Sequence, residues 1–334
     1  MKNEQALLEI EDLKISFRAP DGYIEAVRGV SLSLTAGEIM SLVGESGSGK
    51  SITMRAIMGL LPASARVTGS ARFQGVELIG RPERELRRIR GGQMSMVFQD
   101  PMTALNPVIR VGTQIVEAIR LHNPALSLKA SRARAIELLR DVAIPFPEQR
   151  MEQYPHEFSG GMRQRVVIAM AIANRPKLII ADEPTTALDV TVQAQILELM
   201  KALCRDHGLG LILITHDLGV VAGMAERVSV MYAGSVVECG TAAEIFYTPA
   251  HPYTRGLLGS LPAISGPIGR LTDIGGAPPT ILNMPPGCAF HPRCSFARER
   301  CSFERPTLRP VRQELSACHF AEELPSYTPE KAFA

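Results

Sequence analysis

The 334-residue chain lacks any excess of charge: 36 Lys and Arg are set against 34 Asp and Glu, a net charge of +2. That balance gives no global electrostatic case for a nucleic-acid partner. A membrane-crossing run is missing too. The longest apolar stretch, residues 166–172, is cut off by Asn174-Arg175-Pro176-Lys177, well short of the ~20 residues a spanning helix needs. The opening Met1-Lys2-Asn3-Glu4-Gln5 is polar and carries an acid, which argues against a secretory signal. The sequence therefore predicts a cytosolic protein that reaches a membrane only by docking on another protein. Tryptophan is absent and aromatics are 5%, yet 46% hydrophobic residues supply a sizeable core. No internal repeat is visible. Six cysteines are present, and no pair has the C-x-x-C spacing of a zinc ribbon.

What is present is a pattern of short apolar runs. Residues 7–10, 13–17 and 26–34 predict strands of an antiparallel sheet. Residues 38–43 predict a buried strand, and residues 50–61 a helix stopped by Pro62. Another strand over residues 94–98 ends at Gln99. Residues 107–174 form a helix-rich stretch, with apolar residues at helical spacing over 111–121 and 130–142. Ser159 is placed to cap a further helix. Residues 178–181 and 211–214 are fully apolar, as in parallel sheets. This alternation implies an α/β core. The run from Arg81 to Arg90 mixes acids and bases, so it predicts a solvated helix face. After about residue 260 Gly and Pro become dense, in Gly275-Gly276-Ala277-Pro278-Pro279 and Pro285-Pro286-Gly287. The division expected is a first domain over residues 1–260 and a small irregular Cys-rich region over 261–334.

Gly44-Glu45-Ser46-Gly47-Ser48-Gly49-Lys50-Ser51 matches the phosphate-loop pattern G-x-x-x-x-G-K-[ST] in full. Gly44, Ser46, Gly47 and Gly49 let the backbone wrap phosphates with its amides turned inward. Lys50 is expected to reach the β- and γ-phosphates, and Ser51 to offer its hydroxyl to Mg²⁺. An empty glycine-rich turn is the plain alternative, and the apolar strand before it and helical run after it argue against that. A triphosphatase also needs a carboxylate on the metal and a group to aim water. Asp182 and Glu183, ending the apolar run Leu178-Ile179-Ile180-Ala181, suit these roles: Asp182 toward Mg²⁺, Glu183 as the base.

Together with Phe158-Ser159-Gly160-Gly161-Met162-Arg163-Gln164-Arg165, these motifs resemble the nucleotide-binding domain of ATP-binding cassette (ABC) proteins. The segment resembles the L-S-G-G-Q signature, with Phe158 for Leu and Met162 for Gln. The resemblance spans about residues 5–260. It implies a P-loop NTPase fold with a mixed sheet core, an antiparallel β subdomain and a helical subdomain at about residues 107–174. It implies ATP and Mg²⁺ as ligands. Gln99 resembles the Q-loop glutamine that senses Mg²⁺ and water, and His216 the switch histidine that contacts the γ-phosphate. Phe17 falls where the family stacks a ring on adenine, although Tyr23 is close. Ser159, Gly160 and Gly161 would act on ATP bound to the facing subunit, and Asp189 of Ala187-Leu188-Asp189 would reach across the same dimer.

His251-Pro252-Tyr253-Thr254-Arg255 resembles a segment of the peptide importers within that family. This implies an ATPase at the cytoplasmic face of the inner membrane, driving uptake of di- or oligopeptides. Its partners would be a second, different ATPase subunit, two transmembrane permeases and an extracytoplasmic peptide-binding protein, with no nucleic acid. Nickel, glutathione or another small solute stays open as cargo, and a soluble cassette ATPase acting on nucleic acid is the alternative class. Cys288, Cys294, Cys301 and Cys318 crowd the last fifth of the chain, as metal ligands would in a reducing compartment. The resemblance implies a [4Fe–4S] cluster there. Zinc remains the alternative, with His291 and His319 nearby, and Arg293, Arg298 and Arg300 are candidates to offset the thiolate charge.

Overall fold

The computed structural model describes residues 6–20, 22–186, 188–260 and 274–327. It divides into two compact units. The first comprises Met1–Leu34, Ile39–Ile79 and Ile214–Ala334, and the second Thr35–Glu38 and Gly80–Leu213.

The first unit opens with β1 (Leu8–Ala19) and β2 (Gly22–Leu34). Two of the expected runs are one strand. A register shift between Ile10 and Leu13, with Asp12 in left-handed backbone at φ 47°, interrupts the alternation without ending the pairing. Then come β3 (Ile39–Val43), buried throughout, α1 (Lys50–Ile57), β4 (Arg66–Phe73) and β5 (Val76–Glu77). The order β2-β1-β4-β5 makes the antiparallel sheet. Helix α1 stops earlier than Pro62 would require. Gly59 takes φ 62°, its N–H donates to the Ala56 carbonyl at 2.9 Å, and the Leu60 N–H donates to Arg55 at 2.8 Å. That is a glycine-terminated Schellman end, which satisfies the last carbonyls before the proline is reached.

The second unit carries α2 (Glu83–Ile89), β6 (Met94–Val97), α3 (Pro101–Ala104), α4 (Val111–His122), α5 (Leu128–Asp141) and α6 (Pro147–Arg150). It continues with α7 (Gly160–Ile172), β7 (Leu178–Asp182), α8 (Val190–His207) and most of β8 (Gly210–Thr215). Its strands run in the order β8-β7-β6, with β6 and β7 parallel. Ile115 and Ile119 of α4 are buried, as are Leu138 and Leu139 of α5 and Val166 of α7. The charge run is the exposed face of α2, where Glu83 pairs with Arg87 and Arg90.

The first unit resumes with α9 (Leu218–Met224), β9 (Arg227–Tyr232), β10 (Ser235–Thr241), α10 (Ala242–Tyr247) and α11 (Pro252–Gly259). The tail adds α12 (Glu299–Phe303), β11 (Arg309–Val311) and β12 (Glu314–Ser316). In this unit the strand order is β11-β12-β10-β9-β3, with β3 and β9 parallel and the others antiparallel. The tail is thus knitted into the sheet, with Glu238 opposite Ser316. One core joins Val43, Tyr232, Ile245, Tyr253 and Phe290, with Cys288 and Cys294 packed against it. No helix among the described residues is long and apolar enough to cross a membrane.

Candidate functional site

The phosphate loop follows β3 and ends in α1. Gly44, Gly47 and Gly49 take φ of 148°, 78° and 102°, backbone that residues with a Cβ rarely adopt. A Cβ on Gly44 would also collide with the Met231 carbonyl oxygen. The loop closes around its own cation: Lys50 Nζ, buried, donates to the carbonyls of Gly44 at 2.7 Å and Glu45 at 2.9 Å, and to Ser48 Oγ at 3.2 Å. Ser51 follows in the first turn of α1, whose amino end presents a positive dipole. This cradle, whose backbone calls for glycine at three positions, suits a phosphate group.

Beside the loop lies a cleft of about 380 Å³, within the range of small-molecule sites. Phe17, Ser46, Gly47, Tyr232 and, from the tail, Pro278-Pro279-Thr280-Ile281 line it. Between the two rings near this region, the structure places Phe17 on the cleft. Tyr23 is exposed, with the Arg66 guanidinium 3.8 Å from its ring centroid.

In the second unit, Asp182 ends β7 and is buried. Glu183 turns the chain at φ 47°, a strained position of the kind that gathers at functional sites. Gln99 Nε2 donates to Glu183 Oε2 at 2.8 Å, and Thr186 Oγ1 donates to the same oxygen at 2.9 Å. The structure thus brings together two predicted site residues 84 positions apart.

The signature segment starts α7. Ser159 Oγ accepts the Met162 N–H at 3.3 Å, the capping role expected of it. Phe158 is buried, with the Arg150 guanidinium over its ring at 5.6 Å, so the departure from Leu keeps an apolar anchor. The two glycines differ. A Cβ on Gly161 would fall 2.5 Å from Val192 Cγ1, so that glycine permits close packing on α8. Among the described residues a Cβ on Gly160 would meet Leu188 Cδ2 at 3.5 Å, an ordinary contact, so the packing there does not demand that glycine. Asp189 is exposed and caps α8, accepting the Val192 N–H at 2.9 Å. Ala187 lies outside the described residues. In the first unit, His216 is exposed directly after β8.

The expected metal centre is not met by a formed ion site. Among the described residues no group of three or more His, Cys, Asp or Glu side chains is arranged to hold a metal ion. The four thiols nonetheless converge: Cys288, Cys294, Cys301 and Cys318 line one small cavity of about 20 Å³, with His251, His291, His319, Phe290 and Phe320. Burial pushes the Cys294 thiol up to about 12 and Cys318 up to about 11, and neighbouring thiols push both the same way. His291 Nδ1 lies 2.9 Å from the Cys288 carbonyl and His319 Nε2 lies 2.8 Å from the Glu304 carbonyl. The three arginines expected to offset thiolate charge turn to glutamates instead: Arg298 to Glu323, Arg300 to Glu304, and Arg293 to Glu45 of the phosphate loop. A carboxylate within reach outcompetes an uncharged thiol for a guanidinium.

The segment at His251 acquires a physical account. His251 Nδ1 accepts the Tyr253 N–H at 3.1 Å, capping α11, and Pro252 occupies the first helical position. The ring is buried, and burial pulls its pKa down to about 3, which keeps it neutral for that bond. Tyr253 then points its hydroxyl at the phosphate loop, accepting the Glu45 N–H at 2.8 Å. Sequence reasoning missed Glu45, Tyr253 and Arg293 as partners, because the contacts span 208 and 248 residues.

Comparison with known proteins places this arrangement. Residues 27–186 match the family described as ABC transporter, and residues 237–301 match the oligopeptide/dipeptide transporter C-terminal region. The oligopeptide transport ATP-binding protein OppD of Haemophilus influenzae is 52% identical over 88% of this chain and 91% of its own. The dipeptide transport ATP-binding protein DppD of Bacillus subtilis is 54% identical over 87% of each. Among solved structures, a dimeric post-hydrolysis state of the ATP-binding cassette MJ0796 bound to ADP and Pi aligns with a TM-score of 0.63 at 29% identity, covering 70% of this chain and 98% of that one. CbiO1 from Clostridium perfringens, part of the ABC transporter complex cbiONQ, aligns with a TM-score of 0.62 at 28% identity, covering 73% and 91%.

Proposed function

The chain belongs to the ABC transporter family, among the oligopeptide and dipeptide transport ATP-binding proteins, and we propose that it is the ATP-hydrolysing subunit of an importer carrying di- and oligopeptides across the bacterial cytoplasmic membrane. The observation that carries the hydrolytic reading is the Gln99–Glu183 hydrogen bond at 2.8 Å, directly after the buried Asp182. Glu183 is the base that takes the proton from the attacking water, and Gln99 orients that carboxylate and the water. Lys50 leaves its loop carbonyls to neutralise the β- and γ-phosphates, while the loop amides hold their oxygens. Ser51, Asp182 and Gln99 would hold Mg²⁺, which would supply charge stabilisation at the transferring phosphoryl group. His216 contacts the γ-phosphate, and Phe17 stacks on the base.

Ser159, Gly160, Gly161 and Asp189 serve a second, different ATPase subunit across a dimer. The support is the glycine at 160, which no neighbour among the described residues requires. ATP favours the closed dimer because it contacts both subunits there, and this difference in affinity drives the motion. Two permease subunits convey it through the membrane, and an extracytoplasmic binding protein delivers the peptide. The chain is peripheral, at the cytoplasmic face. Residues 1–260 form the cassette, with its helical subdomain at about 107–174, and residues 261–334 the extension.

The four tail thiols hold a [4Fe–4S] cluster in a structural role. The convergence of the four thiols on one cavity supports this reading. Anaerobic purification with iron, sulfide and zinc analysis tests it: four irons per chain are expected, and a colourless protein with stoichiometric zinc would remove the cluster.

Glu183→Gln tests the ATPase. MgATP binding should persist while turnover falls on the order of 10²–10⁴-fold. Wild-type turnover in that variant would remove Glu183 as the base.

A further inference from the structure

Glu45 is pinned at three points. Its N–H donates to Tyr253 Oη at 2.8 Å, its carbonyl accepts Lys50 Nζ at 2.9 Å, and its carboxylate receives both arms of Arg293, at 2.7 and 2.9 Å. Two of these ties come from beyond residue 250. The Arg293 side chain is 5% exposed, and its fork matches the carboxylate plane, the strongest geometry for such a pair. The same guanidinium donates to the carbonyls of Gly275 and Ile274 at 3.1 Å each and to Tyr232 Oη at 3.3 Å. Residues 274–275 lead into Pro278-Pro279-Thr280-Ile281, the far wall of the cleft beside the loop. Arg293 is followed directly by Cys294, whose thiol lines the four-cysteine cavity. One buried side chain therefore joins the phosphate loop, the opposite wall of the nucleotide cleft and the cysteine lobe.

We propose that the C-terminal lobe is a clamp on the phosphate loop. Arg293, through its fork on Glu45, is a positioning residue that holds the loop and the 278–281 wall in the form that accepts ATP. The inference rests on the ATPase reading above and adds a regulatory input to it: whatever loosens the cysteine lobe weakens nucleotide binding before it affects chemistry. Nothing in the phosphate-loop pattern itself calls for a residue at position 293.

The test uses the full chain, titrated with the Mg²⁺ complex of a slowly hydrolysed ATP analogue, in Arg293→Met, Glu45→Gln, the double variant and Arg293→Lys. Thermal melting checks that each is folded. Each of the first two should weaken binding roughly tenfold, and the double no further, since both singles break the same tie. KM for ATP should rise while kcat at saturation stays within about twofold. Arg293→Lys should recover part of the affinity. Amide hydrogen exchange over residues 44–49 should speed up in the variants that lose the tie. If Arg293→Met does not fold, Glu45→Gln and Arg293→Lys decide by the same readouts. Unchanged affinity in folded variants, or losses that add in the double, would overturn the clamp alone. A wild-type chain that binds no nucleotide would overturn the ATPase reading and the clamp with it.

Discussion

Two glycine-rich turns start helices in this molecule, and they use glycine for opposite reasons. At the phosphate loop three glycines adopt positive φ, and Lys50 folds back onto the carbonyls of Gly44 and Glu45. At the start of α7 neither Gly160 nor Gly161 has positive φ, and Ser159 already caps the helix. The first turn is closed within its own chain. At the second, Gly160 is exposed, and among the described residues its packing leaves room for a side chain. In the phosphate loop glycine is required by the backbone itself. At Gly160 neither the backbone nor the packing among the described residues requires glycine, which is the support for its proposed role across a dimer.

The largest effect expected from this contrast is at Gly44. Gly44→Ala must leave its φ of 148° and avoid the Met231 carbonyl. Strained backbone of this kind costs about 1–3 kcal/mol, and the collision adds to it. MgATP affinity, measured by equilibrium titration, should fall by roughly a hundredfold or more. Near-normal affinity would break the claim that the loop is preformed by its glycines.

Gly160→Asp is expected to act elsewhere. Binding of ATP at Lys50 of the same chain should hold, because the phosphate loop is untouched. Hydrolysis by the proposed dimer with a second ATPase subunit should drop ten- to hundredfold, the loss of about 1.5–3 kcal/mol of hydrogen bonding to a charged group. Mixed assemblies carrying the variant on one subunit give the sharper reading, since the damaged site should be the one on the other subunit. Equal damage to the variant's own ATP binding would undo the contrast between the two turns.

Gly161→Ala separates packing from function in the same turn. The added methyl would lie 2.5 Å from Val192 Cγ1, so α7 and α8 must give way. Overpacking of this sort costs about 1–3 kcal/mol. The melting temperature should fall by several degrees, whereas Gly160→Ala should leave it within error. A scan of both variants that showed the reverse would exchange the roles of the two glycines.

The phosphate loop was legible because its conformational demand is local, written in eight consecutive residues. The cap at Ser159 and the strand before Asp182 were legible for the same reason. The end of α1 was misplaced because Pro62 is the louder signal, while Gly59 closes the helix through two backbone bonds that composition does not announce. The tail was expected to be irregular because β11 and β12 have three residues each, too few to display a period, and β11 contains Pro310. Arg293 was assigned to the cysteines because they are its sequence neighbours. Glu45, 248 residues away, is its actual partner. Motifs report what a segment can do alone, and the ties that support this phosphate loop are made by residues beyond 250.

The smallest effect tests that support. Glu238 of β10 is wholly buried, accepts the His251 N–H at 3.1 Å and the Ala250 N–H, and so fixes the start of α11, which carries Tyr253 to the loop. Glu314 of β12 is also buried, and its charge acts on Glu238. Burial raises Glu238 well above its ordinary value, and the Glu314 charge adds to the rise, while Thr254 and the two backbone donors oppose it. Burial, with Glu244, raises Glu314 from 4.5 to about 7, although Arg312 and Arg255 face it and pull the other way. Both shifts are upward, so between pH 4.5 and about 7 the folded chain holds protons that the unfolded chain has released. Stability from this pair is therefore fully present below 4.5 and is lost as pH climbs through about 7. Glu314→Gln should flatten the fall in melting temperature across that window while leaving the low-pH value nearly unchanged. If the tail strands also brace the phosphate loop through α11, amide exchange over residues 44–49 should accelerate across the same window in the wild type and less so in Glu314→Gln. Exchange that ignored pH there would confine the support of the loop to Arg293 and its own glycines.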